Sequence, residues 1–101
     1  MSTTTIPVAQ PGGSLFHGTV TTGAGTAAVP LGTAADYPGG LYVQNQHAAA
    51  TLFLGGVGID GTNGGMRLAA GEVSKKLPLG DPSKVYCYSA SAVVVGWVGV
   101  R

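Results

Sequence analysis

The chain has 101 residues, a formal net charge of +1 and only 9% charged residues, where ordinary soluble domains carry ~25%. That length holds one domain, its single cysteine excludes an internal disulfide, and five basic residues make no patch for a phosphate backbone. Its longest near-continuous apolar run, residues 92–100, falls far short of the roughly 20 residues that a membrane-spanning helix needs.

Residues 1–14 combine Ser, Thr, Pro, Gln and Gly without a charge, and Pro7 and Pro11 favour extended backbone. This is the composition of a frayed terminus, or of an arm that orders only against a neighbour. The opening Met-Ser-Thr-Thr-Thr-Ile-Pro has no basic stretch followed by an apolar one, so no secretory signal is expected.

Residues 15–22 are rich in β-branched and aromatic side chains and predict a strand. Gly23-Ala24-Gly25 is expected to turn it, and residues 26–31 to return beside it as a hairpin, with Pro30 confining the return to a sheet edge. Residues 32–40 are a loop closed by Pro38-Gly39-Gly40. In Leu41–Asn45, Leu41 and Val43 share one face of a strand, and Tyr42 and Gln44 the other. Residues 46–50 are too few for a stable helix and are read as a connection.

Residues 51–72 open with an apolar run, pass through a glycine-rich loop and close on Leu68-Ala69-Ala70-Gly71-Glu72. They predict two strands joined by a long compact loop. Residues 72–77 alternate Val73 and Lys75 against Ser74 and Lys76 until Pro78, and residues 79–82 turn. In residues 84–89, Val85 and Cys87 share one face and Tyr86 and Tyr88 the other. Residues 93–100 are apolar on both faces, with Val93, Val95 and Trp97 opposed to Val94 and Val98. Such a strand is either sandwiched or covered by a partner. The expectation is an all-β fold, a small antiparallel β-sandwich or barrel of about seven to eight short strands, with residues 1–14 as an extended arm and 15–101 as the domain.

The residues with chemical potential do not assemble into a familiar site. Residues 56–61 match the spacing G-x-G-x-x-G, but Thr62-Asn63-Gly64-Gly65 follows, where a dinucleotide site needs a helix to start. Asp60, Thr62 and Asn63 offer oxygens, but one carboxylate is too few for a calcium loop. His17, His47 and Cys87 are one ligand short of tetrahedral zinc unless water completes it. Asp36, Asp60, Glu72 and Asp81 lie in or beside turns, where acids cap and solubilise. The rings of Trp97, Tyr37, Tyr42, Tyr86 and Tyr88 suit packing in a core or between subunits, and no basic residues interleave with them as nucleic-acid stacking requires. No catalytic residue, metal or cofactor is expected.

The order of turn and strand signals resembles one known group. Leu41-Tyr42-Val43-Gln44-Asn45, Leu52 to Gly56, Asn63-Gly64, Leu68 to Glu72, Val85-Tyr86 and Val93 to Val100 follow the pattern of small β-sandwich modules on tailed-phage virions, the head decoration and head-fibre proteins. The likeness spans residues 41–100. It departs at the end, where Gly96-Trp97-Val98-Gly99-Val100-Arg101 replaces an acidic finish. The resemblance implies a structural virion protein made in the host cytoplasm, a cement that adds contact area at joints between major capsid subunits on the outer capsid surface. Its partners would be the major capsid protein and further copies of itself, as a trimer, with no nucleic acid and no membrane. Candidate interface residues are Ile6 and Val8 on the arm and Val93, Val95 and Trp97 near the last strand. A carbohydrate-binding module, or a head- or tail-fibre attachment domain, is the alternative.

Overall fold

In the computed structural model, residues 14–62 and 65–101 are described. Seven strands follow in order: β1 (Leu15–Thr21), β2 (Val29–Pro30), β3 (Leu41–Asn45), β4 (Leu52–Gly55), β5 (Met66–Leu68), β6 (Tyr86–Tyr88) and β7 (Val94–Val100). A single 3-10 turn at Pro82–Lys84 lies between β5 and β6, and no α-helix occurs among the described residues. Two antiparallel sheets result, one ordered β1-β7-β3 and the other β2-β6-β4-β5. The protein is a small β-sandwich.

Alternation of side chains builds the core. Leu41, Val43 and Val95 of the first sheet and Leu52, Leu54, Leu68 and Cys87 of the second point inward, joined by Leu31, Tyr37, Leu77, Val85 and Val93. The β4–β5 hairpin closes the glycine-rich loop, with Leu52 opposite Leu68, as the sequence of residues 51–72 leads one to expect. Pro30 does sit on an edge strand.

Three expectations need correction. The first is the hairpin of residues 15–31. β1 pairs with β7 and β2 with β6, so the two strands belong to different sheets. The cause is a latch at Thr22. Its N–H donates to Val93 O, its hydroxyl donates to Ser91 O, and Val93 N–H donates back to Thr22 Oγ1. Gly25 N–H then donates to Ser89 O. Residues 22–25 thus run along the β6–β7 connection and cross from one sheet to the other.

The second is the strand expected at residues 72–77. This segment makes only two isolated bridges, Gln44 with Val73 and Leu41 with Leu77. Ser74 turns inward, and its hydroxyl accepts the Val43 N–H where a ladder would offer a carbonyl. The segment still covers the outer edge of β3, through Asn45 N–H to Glu72 O, Ser74 N–H to Val43 O and Leu77 N–H to Leu41 O.

The third concerns the interface. Val93 and Val95 are 0% exposed. Both lie inside the sandwich, so neither has surface left to offer a partner. The other face of β7 is the uncovered one, with Val94 exposed at 44%. Ile6 and Val8 lie outside the described residues, as does most of the expected arm. Ser14, assigned to that arm, pairs with Arg101 and extends the β1–β7 ladder.

Candidate binding surface

The register of β1, β7 and β3 defines the outer face of the three-stranded sheet. Position by position, it carries Leu15, His17, Thr19 and Thr21 from β1. β7 contributes Val94, Gly96, Val98 and Val100, and β3 contributes Tyr42 and Gln44. No residue on these three strands' outer face is charged. Leu15 is 73% exposed and Val73, bridged to Gln44 at the margin, is 55% exposed. Gly96 opens a groove of about 360 Å³ between the walls formed by Thr19 and Gln44, floored by Val98. The Gln46 amide reaches over Gly96 and fills the space a Cβ would take. The Gln44 amide is held at Gly71 O, 3.3 Å away.

The opposite side of the same sheet packs rings against glycines. Tyr37 covers Gly99 and Trp97 covers Gly18. Phe16, Tyr37 and Trp97 form a chain of tilted rings with centroids 5.4 and 5.8 Å apart. The Arg101 guanidinium lies 4.6 Å from the Phe16 centroid and 5.3 Å from that of Tyr37, a cation–π placement. The Trp97 indole N–H donates to Leu31 O at 3.1 Å. Trp97 is therefore a half-buried packing residue, and Tyr37 is buried.

The remaining candidates are each held in a local structural bond or kept apart. His17 stands on the outer face of one sheet while Cys87 is buried inside, so the sheet separates them. His47 Nδ1 accepts the N–H groups of Ala49 and Ala50, both at 2.9 Å, and closes the 46–50 connection. Asp60 accepts Thr62 N–H, Glu72 accepts Ala69 N–H, and Asp81 accepts the N–H groups of Ala35 and Ser83. The Ser83 hydroxyl and N–H, with Ala35 N–H, hold the Asp81 carboxyl below its ordinary range. Burial pushes the Cys87 thiol up to about 12. Among the described residues no three of His, Cys, Asp and Glu gather as a metal site. The residues 56–61 glycine motif ends in a turn, and among the described residues between it and β5 there is no helix to face a phosphate.

No family model, curated protein or solved structure matches the chain. Its reading rests on its own residues.

The outer face was half legible in the sequence. The two-sided apolar pattern of residues 93–100 points to a covered face, but the pattern alone cannot say which side is the core. Gly96 and Gly99 decide it. Gly99 leaves room for Tyr37 within the domain, whereas Gly96 is overlaid only by the Gln46 side chain.

Proposed function

We propose that the protein is a non-enzymatic structural component of a virion that binds the outer surface of a phage capsid. The observation that carries this reading is the uncharged outer face of β1, β7 and β3. An antiparallel sheet with one solvated face normally alternates apolar inside with polar or charged outside. Here the outward positions of the central strand are Val94, Gly96, Val98 and Val100. Covering that face removes apolar surface from water and strips no charge of its hydration. The partner chemistry it fits is another extended, weakly charged protein surface, as a shell of capsid subunits presents. The cement role suggested by the order of strands and turns, added contact area at subunit joints, agrees with a face of this kind.

Co-sedimentation with purified capsids of the encoding phage tests the reading. The wild-type domain is expected to pellet with capsids at a fixed stoichiometry. Val94→Glu places a charge on the central strand of the face, at its first residue and on a side chain already 44% exposed, and should abolish pelleting without lowering the melting temperature. Equal binding by a folded Val94→Glu variant would remove the face from the mechanism.

A further inference from the structure

We propose that β1 is a pairing edge for a second copy of this chain, giving a twofold dimer. Ser14 and Arg101 exchange N–H to O bonds of 2.9 Å in both directions, which sets the parity of the β1–β7 ladder. Alternate residues from Ser14 onward bond to β7. Leu15, His17, Thr19 and Thr21 therefore turn their N–H and C=O groups away from it. No described strand lies on that side of β1.

The other edges are blunted by the usual devices. β3 is covered by residues 71–77. β2 has two residues, one of them Pro30, and β5 has three, one of them Arg67. β1 has seven residues with no proline and no charge.

A second copy fits because β1 is nearly symmetric about Gly18. Antiparallel pairing about a twofold axis there sets Leu15 opposite Thr21, His17 opposite Thr19 and Phe16 opposite Val20. Every outward N–H and C=O of the strand then meets a counterpart. Glycines meet at the axis, so no side chains collide, and no charge meets its like. On the inner face, the exposed Phe16 meets Val20 of the copy beside the indole that lies across Gly18. On the outer face, the two uncharged surfaces become one continuous sheet. Pairing of like edges is isologous and closes at two, whereas the resemblance implied a trimer. The proposal is independent of the capsid reading.

Sedimentation velocity over a concentration series should show a concentration-dependent dimer. Thr19→Pro removes an outward N–H that no bond among the described residues uses, so it should leave the β-sheet circular dichroism intact and give a monomer throughout. Register is read by cross-linking. His17→Cys and Thr19→Cys chains, mixed and mildly oxidised, should join to each other. Neither should join to itself, because like positions lie one full step apart along the ladder and beyond disulfide reach. A wild-type chain that stays monomeric overturns the proposal, whether the edge is then open or taken by another kind of partner. An oligomer unchanged by Thr19→Pro overturns it too. Should Thr19→Pro lose its sheet signal, the mixed cross-link decides, and its absence rejects the pairing.

Discussion

The indole of Trp97 lies across Gly18, its register partner on the neighbouring strand, so that a Cβ on Gly18 would stand 2.9 Å from three ring atoms. The ring is pinned on its other sides. Gly32 and Tyr37 pack against it and its N–H is spent on Leu31 O. It has no easy way to yield. Gly18→Ala is expected to destabilise the domain by about 2 kcal/mol, the scale of forced overpacking. Trp97→Ala should cost about 3 kcal/mol, since it leaves a gap against three neighbours and an unmet carbonyl. Thermal denaturation of both variants checks the pair. A Gly18→Ala protein as stable as wild type would mean that the ring moves freely.

Gly71 separates backbone strain from crowding. It sits at φ +76° with nothing within 4 Å of a built Cβ. It belongs to the turn closed by Glu72 N–H to Ala69 O, and Glu72 Oε1 returns to Ala69 N–H at 2.7 Å. Any cost of Gly71→Ala must therefore come from the left-handed backbone alone, about 1 kcal/mol. Gly99→Ala, whose Cβ would meet Tyr37 ring atoms at 2.7 Å, should cost clearly more. Chemical denaturation with equal m-values would read the difference directly.

How much of this was legible depended on whether a residue's partner was local. β3 could be read from Leu41, Val43 and their alternation because one buried face imposes a period of two. Val85 and Cys87 read as one face of a strand, opposite the two tyrosines, and both are buried. The turn at residues 69–72 was written in its glycine and glutamate. What could not be read was which strand would lie beside which. The expected hairpin failed because Thr22 bonds across to Ser91 and Val93, about seventy positions away, and no local signal reports such a bond. The alternation of residues 72–77 did not say which face turns inward, and the Ser74 hydroxyl substitutes for a ladder carbonyl at Val43. That β1 has a single neighbour among the described strands was equally hidden, since Leu15–Thr21 reads the same with one neighbour or two.

Cys87 gives the stability a pH dependence with a defined sign. Burial raises its thiol to about 12, while Sγ rests 3.4 Å from Val29 O. The folded state therefore keeps the proton that the unfolded chain releases above ~8.5. Stability from this group is intact below pH ~8.5 and should fall as pH rises from there toward about 12. Cys87→Ala should flatten the alkaline limb while lowering the plateau. The same burial predicts that a thiol reagent at pH 8 labels the native protein only as fast as it opens. Immediate stoichiometric labelling of folded protein would contradict the buried placement.

Asn45 is the most consequential polar residue of the core. It is 0% exposed at the end of β3. Its amide nitrogen donates to Ala50 O at 2.8 Å and Leu68 O at 3.1 Å, and its oxygen accepts His47 N–H at 3.0 Å. One side chain thus ties the first sheet to the 46–50 connection and to β5 in the second. Asn45→Leu keeps the volume but leaves two carbonyls and one N–H without partners, and should cost about 3 kcal/mol. Asn45→Asp is the sharper test. A carboxylate would face two carbonyl oxygens in a dry site, so its folded pKa must rise above the ~3.9 of an exposed aspartate. The variant should be least destabilised in acid, where the carboxyl is protonated and one donor is restored. Its stability should then fall as pH climbs above 4. Melting temperatures of Asn45→Asp and Asn45→Leu from pH 3 to pH 7 distinguish the two losses. Parallel curves would mean that the introduced carboxylate escapes to solvent, and that the bonds from Asn45 to Ala50 and Leu68 do not hold this corner of the sandwich shut.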